Sequence, residues 1–141
     1  MQRKNKKPSP EKGRKTGMNV DDYMYTYLSI ISKTAELYPT NDRNVVYQLS
    51  ATDKKFYQIV QKVGEERMVY QLRQLFIELT KSGVISGVAT KQEIIINSVT
   101  PLGYSILEQA KKPTFWKSIK KAAPKWAANS LTNFLIAYLT N

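Results

Sequence analysis

The apolar residues of this chain change from helical to strand spacing at Gly83, and that change limits the folds available to it. Between Glu65 and Ser82 the apolar residues recur at helical spacing, as Val69, Leu72, Leu75, Phe76 and Leu79. After Gly83, residues 84–88 and 93–99 have the composition of two strands, with the polar turn Thr90-Lys91-Gln92 between them. The sequence therefore predicts a helix that ends at a C-terminal glycine and leads into a β-hairpin.

Two helices are predicted before this unit. The first runs from Val20 to Leu37 with Asn19 as its N-cap, and its inward residues are Met24, Tyr27, Leu28, Ile31 and Ala35. Tyr38-Pro39 ends it, and residues 40–44 are predicted to be a loop. Residues 45–49 are predicted to be a short strand or extended segment. The second helix is expected over 53–63, with Thr52 as its cap and Gly64 as the break before the third helix.

A fourth helix is predicted after the hairpin. Thr100 supplies a capping hydroxyl and Pro101 suits the first helical position, so this helix should run to about Lys111. Leu102, Ile106 and Leu107 are expected to face inward. Pro113 separates a last segment, about 114–139, which is amphipathic and carries a second proline at position 124.

The order of helices, hairpin and helix is typical of a winged helix-turn-helix. The predicted fold is mainly α with a small β-hairpin: a three-helix core and a two- or three-stranded wing over residues 18–111, followed by a C-terminal helical extension over 112–141. The third helix is then the recognition helix and residues 84–99 are the wing.

Three stretches also resemble a known family. They are Leu72-x-x-Leu75-x-x-x-Leu79-x-x-x-Gly83-Val84-Ile85, then Val99-Thr100-Pro101-Leu102-Gly103-Tyr104-x-x-Leu107-Glu108, then Phe115-Trp116-x-x-Ile119-Lys120. Together they are similar to the YjcQ-like family and related uncharacterised winged-helix families of bacteria and their phages. The resemblance covers about residues 67–121 and implies the fold and a phage or mobile-element setting. Because these families have no settled activity, it implies no functional residues.

The composition excludes most catalytic and metal sites. The chain has no cysteine and no histidine, so thiolate and imidazole ligands are absent, as is the usual general base. No phosphate-binding loop, dinucleotide fingerprint or nucleophile elbow is present. We therefore expect no enzyme, no cofactor and no metal. No apolar run is long enough to span a bilayer, and a cytoplasmic location is expected.

Positive charge is concentrated at the N-terminus. The net charge is +11, and residues 1–17 hold seven Lys or Arg against Glu11. Taking these from the totals of 22 and 11 leaves 15 basic and ten acidic residues, a net of +5 for residues 18–141. Residues 1–17 are predicted to be a disordered basic arm that adds phosphate contacts. The alternative is that translation starts at Met18, because residues 12–15 can be encoded by a purine-rich stretch resembling a ribosome-binding site.

The outward side of the third helix is the predicted site for double-stranded DNA. Glutamine can pair with adenine edges, and Arg or Lys can bind guanine or phosphate. The predicted contacts are Arg67, Tyr70, Gln71, Gln74 and Lys81 on the helix, with Lys91 in the wing. This predicts a DNA-binding regulator. The plain alternative is a solvated helix face.

The last segment supports other functions. Its apolar side holds Phe115, Trp116, Trp126, Phe134 and Tyr138, opposite a row of lysines. These residues are predicted to pack on the domain, to form a homodimer or to contact a host protein. The alternative function is an adaptor or inhibitor of a host complex, which would also use the acidic residues of the third helix. Peripheral membrane attachment through this segment is a third interpretation.

Overall fold

The structure, a computed structural model, describes residues 18–122 and 131–140. Its helices are α1 (Val20–Leu37), α2 (Asp42–Thr52), α3 (Lys54–Val63), α4 (Glu65–Lys81), α5 (Pro101–Gln109), α6 (Pro113–Ala122) and α7 (Leu131–Thr140). Its strands are β1 (Thr40–Asn41), β2 (Ile85–Ala89) and β3 (Ile94–Val99). The mainly helical fold with a small antiparallel sheet agrees with the prediction. The predicted disordered arm, residues 1–17, lies outside the described residues.

The hairpin is present and belongs to a sheet of three strands. Strand β3 lies in the middle, with β1 and β2 antiparallel on either side. Ile85 pairs with Val99 and Val88 with Ile95, and the register shifts between Ser86 and Gly87. The predicted polar turn at residues 90–92 connects the two long strands as expected.

The prediction for residues 40–49 is wrong. Residues 40–41 form β1, and the predicted strand at 45–49 lies inside helix α2. The Asn41 side chain accepts the backbone N–H of Asn44 at 2.8 Å and so caps this helix. Val45 and Leu49 are four residues apart, so a helix buries both on one face, and both are buried. Helices α2, α3 and α4 therefore lie between β1 and the hairpin, whereas the sequence predicted two helices there.

Smaller corrections concern helix caps and boundaries. Thr52 ends α2, where its hydroxyl donates to the Gln48 carbonyl, and Asp53 caps α3 instead by accepting the Phe56 N–H at 3.0 Å. Helices α4 and α5 end one and two residues earlier than predicted, at Lys81 and Gln109, whereas the final segment begins one residue earlier, at Pro113.

Helix α5 is held close to the start of β2. As predicted, Thr100 caps the helix: its hydroxyl oxygen accepts the Gly103 N–H at 3.2 Å, and the hydroxyl also donates to the Val84 carbonyl at 2.9 Å. A Cβ on Gly103 would lie 2.5 Å from both the Val84 carbonyl oxygen and Val99 Cγ1. Glycine is therefore required where the helix crosses the hairpin. Of the predicted inward residues of this helix, Ile106 is fully buried.

One apolar core joins the helices and the hairpin. It contains Tyr27, Ile30 and Ile31 of α1, together with buried residues of every later helix and of the hairpin. Phe115 and Ile119 of α6 and Leu131 and Leu135 of α7 belong to the same core. The Tyr27 hydroxyl is hydrogen-bonded to that of Thr132, which links the first described helix to the last. Within residues 18–122 and 131–140, each helix is too short or too polar to cross a lipid bilayer.

Candidate nucleic-acid interface

Helix α4 is bounded by two glycines with left-handed backbone conformations. Gly64 has φ of 101° and Gly83 has φ of 76°, so each allows a sharp change of chain direction that other residues rarely adopt. The helix buries one side in the core through Met68, Leu72, Leu75, Phe76 and Leu79. Val69, predicted to be in this buried stripe, is 68% exposed, and Met68 takes its place. The side opposite the buried one faces outward.

Four of the five predicted contacts on α4 are exposed: Arg67, Tyr70, Gln74 and Lys81. Gln71 is the exception. It is half-buried beside Tyr23 and Met18 of the neighbouring α1 region, and its Oε1 is buried without a hydrogen-bond partner among the described residues. Its position on the helix points it toward α1 and away from the outward face. The contact between Gln71 and DNA bases stays a prediction, and Gln71 is less accessible than the other four residues.

The hairpin turn is fixed beside the middle of α4 by two arginines. Arg73 Nη2 donates to the Thr90 carbonyl at 2.8 Å, and Arg43 Nη2 donates to the Gln92 carbonyl at 2.8 Å. The Thr90 hydroxyl closes the turn by accepting the Gln92 and Glu93 N–H groups. Lys91, the predicted wing contact, is exposed at the tip between these fixed residues.

Sequence reasoning missed both arginines. Arg73 follows Leu72 on the predicted recognition helix. Helical spacing could therefore have placed it on the flank of that helix, beside the buried stripe. Arg43 could not be placed in this way, because residues 40–44 were predicted to be a loop. Only the fold brings Arg43 to Gln92, 49 residues away.

On its other flank, α4 places Glu78 against α1. One carboxylate oxygen, Oε2, is buried and lacks a hydrogen-bond partner within the described part of the chain. Burial raises the pKa of Tyr23 and of Tyr27, and the charge of Glu78 raises both further. The two rings pack against each other with their centroids 6.2 Å apart.

A groove separates α4 from α2 next to the hairpin turn. Its volume is about 360 Å³, and Val46, Tyr47, Val69 and Phe76 are among its lining residues. Tyr47 and Val69 are each 68% exposed and Tyr70 is 67% exposed. Apolar side chains are therefore unusually accessible around this end of α4.

A larger groove of about 980 Å³ lies elsewhere, between α1, the α2–α3 junction and α5. It is lined by charges of both signs, including Lys54, Lys111 and Glu108. The Tyr25 hydroxyl donates to Asp53 in its wall at 2.7 Å. Burial, and then this hydrogen bond, raises the pKa of Tyr25. The groove has no single-sign surface that would favour DNA.

The predicted partner residues of the last segment are divided by the structure. Phe115 is 1% exposed and packs in the protein's own core, so it is not available to a dimer or partner, and the packing alternative holds for it. Trp116 is half-buried, and its Nε1–H donates to the Ala110 carbonyl at 3.0 Å. Trp126 and the side chains of Phe134 and Tyr138 lie outside the described residues.

Helix α6 presents lysines to solvent. Its apolar side, Phe115 and Ile119, is covered by the core and is not open to a membrane surface. Lys120 lies 3.1 Å from Asp21 of α1, which ties the two helices together, and Lys117 and Lys121 are exposed. Among the described residues no three acidic side chains lie close enough to hold a metal ion.

No protein-family model matches the chain, and no curated protein or solved structure is significantly similar to it. The similarity to the YjcQ-like family therefore depends on the sequence motifs alone.

Proposed function

We propose that the protein binds double-stranded DNA through the outward face of α4 and the tip of the hairpin, as a winged-helix regulator would. The observation that carries this proposal is the pair of hydrogen bonds from Arg43 and Arg73 to the hairpin turn. They hold Lys91 beside the helix that carries Gln74 and Lys81 on its outward side. A helix in the major groove with an adjacent β-hairpin on the backbone is a common docking arrangement.

Each exposed side chain on this surface suits a different part of the duplex. The Gln74 amide can make a bidentate contact with adenine, and Arg67 and Lys81 can bind guanine or phosphate. Lys91, at the tip of the hairpin, would contact the phosphate backbone. Four helices precede the hairpin, and of these α3 and α4, joined by Gly64, take the place of the helix-turn-helix. Helix α2 then supports α4 from the side.

The charge distribution supports phosphate binding. The net charge is +11, with seven of the 22 basic residues in positions 1–17. Glu65 and Glu66 at the start of α4 are exposed and would repel phosphates, so base contacts are expected from Arg67 onward. Counterion release should make binding strongly dependent on salt concentration.

The test is fluorescence anisotropy with a duplex selected from a random pool by the full-length protein. The variant Lys81→Ala/Lys91→Ala removes two positive charges from the proposed face. Its matched control, Lys54→Ala/Lys111→Ala, removes two from the larger groove. We expect the first pair to weaken binding about tenfold or more and to reduce the salt slope by about 2, and the control to change affinity about twofold at most.

Gln74→Ala tests base recognition separately. It should lower affinity for the selected duplex by about 1–3 kcal/mol while leaving binding to an unrelated duplex unchanged. Equal losses for the two lysine pairs, together with no effect of Gln74→Ala, would reject this face as the DNA site.

The exposed Tyr47, Val69 and Tyr70 favour a second function, that of a protein-binding adaptor. Accessible aromatic residues are common at protein interfaces. In a phage or mobile-element setting, which the family resemblance implies, the partner would be a host protein. A pull-down from host lysate with nuclease treatment distinguishes the two: DNA-mediated capture is lost, and direct protein capture survives and is weakened by Tyr47→Ser.

A further inference from the structure

The groove between α2 and α4 combines an apolar floor with positive charge at one end. Leu72 and Phe76 are buried core residues that form part of the floor, and Val46 is half-buried beside them. The cavity of about 360 Å³ lies within the range of about 300–1,000 Å³ typical of small-molecule sites. A single ring system with one polar substituent fits within this volume.

The charged end is formed by the two arginines that hold the hairpin turn. A guanidinium has five N–H donors, and each arginine uses one hydrogen bond on a turn carbonyl. Within the described residues neither guanidinium forms an ion pair. Asp42 also lines the groove, but its Oδ1 accepts the Ile94 N–H at 2.9 Å. One carboxylate against two guanidinium groups leaves the lining with a net positive charge.

We infer that this groove binds a small planar aromatic carboxylate. The ring lies on the apolar floor between Tyr47 and Val69, and the carboxylate accepts N–H donors of Arg43 and Arg73. Both guanidinium groups donate to carbonyls of the same turn, and a carboxylate bound there would be attracted by both positive charges. A phosphate alone would leave the apolar floor uncovered, and a neutral aromatic molecule would leave the charged donors unused.

The ligand would also act on the DNA-binding surface, a step that depends on the function proposed above. A carboxylate held by both arginines links α2, α4 and the hairpin turn. It therefore changes how firmly Lys91 is positioned beside α4. The groove becomes an effector site, since ligand affinity and DNA affinity are then reciprocally coupled.

The test is a titration of the full-length, ¹⁵N-labelled protein with 2-naphthoate and, as the matched neutral probe, 2-naphthamide. We expect naphthoate to shift the backbone amides of residues 42–47, 69–76 and 90–93, and to bind about tenfold more tightly than naphthamide. Arg43→Gln and Arg73→Gln should each weaken naphthoate binding about tenfold. Lys117→Gln removes one positive charge from α6, outside the groove, and should change the Kd by about twofold at most.

Three results would overturn the site: equal affinity for the two probes, shifts confined to the larger groove around Tyr104 and Lys111, or no binding at millimolar concentration. Val69→Ser, at an exposed position, checks the floor without disturbing the core and should also weaken naphthoate binding.

The coupling is measured separately, as the change in duplex affinity with saturating naphthoate. A severalfold change in the wild type, absent in Arg73→Gln, supports it, and no change in the wild type rejects it. If the protein binds no duplex at all, the proposed DNA-binding function and the coupling fail together. The titration still decides whether the groove is a ligand site.

Discussion

At the residue scale, close approaches and buried hydrogen bonds fix how the elements meet. Gly103 brings α5 against the Val84 carbonyl, and the Asp42 carboxylate accepts the N–H of Ile94 where β3 begins. The first was not predicted, although its sequence signal is a glycine three residues after the capping threonine. The second has no such signal, because its partners are 52 residues apart.

Gly103→Ala should destabilise the protein by about 1–3 kcal/mol, or more if the backbone cannot relax. The new Cβ would be 2.5 Å from the Val84 carbonyl oxygen, a backbone atom held in the hairpin. Urea denaturation measures the change. Ser105→Ala, at an exposed position of the same helix, is the control and should change stability by about 0.5 kcal/mol at most.

Asp42→Ala should cost about 1–3 kcal/mol, because the Ile94 N–H would be left buried without an acceptor. The effect should be strongest locally, with faster amide hydrogen exchange in β3 than elsewhere in the chain. Asp42→Asn, which keeps an acceptor oxygen, should recover most of the loss. An Asn variant as unstable as the Ala variant would contradict this account.

At the element scale, the sequence predicted structure wherever periodicity extended over several turns. Helices α1, α3 and α4 and the hairpin were predicted with boundaries close to those observed. Helix α2 was missed because residues 45–49 are too few to distinguish the two-residue period of a strand from the 3.6-residue period of a helix. The same limit applied on α4, where Met68 and Val69 are adjacent and only packing decides which one is buried.

Glu66 provides an element-scale prediction, because it lies exposed in the first turn of α4, where phosphates would approach. Glu66→Gln should increase DNA affinity severalfold at low salt, and the gain should shrink as salt is raised. Anisotropy titrations at two salt concentrations measure it. Under the adaptor function, Glu66→Gln would weaken capture of the host protein in the pull-down. A loss of capture, with no gain in duplex affinity, would favour the adaptor.

At the scale of the whole molecule, buried phenols make stability depend on alkaline pH. Burial raises the pKa of Tyr23 and Tyr27 in the folded protein above the ordinary value of about 10. Above that pH the unfolded chain loses protons that the folded chain keeps, which favours unfolding. Their contribution is therefore complete below about pH 10 and is lost as pH rises toward the folded-state pKa.

Thermal denaturation between pH 8 and 11 should show a falling midpoint above about pH 10. Tyr23→Phe removes one of the two groups and should flatten the fall. A slope unchanged by this substitution would show that other groups cause the loss.

The hydrogen bond between Tyr27 and Thr132 has a consequence for how the chain is made. Helix α1 emerges from the ribosome early, yet one of its partners is synthesised about a hundred residues later. Until then the part of α1 around Tyr27 that α7 covers must remain exposed or be covered by something else. A nascent or prematurely terminated polypeptide would therefore be a good substrate for chaperones and proteases, and its rescue would depend on how quickly translation is completed.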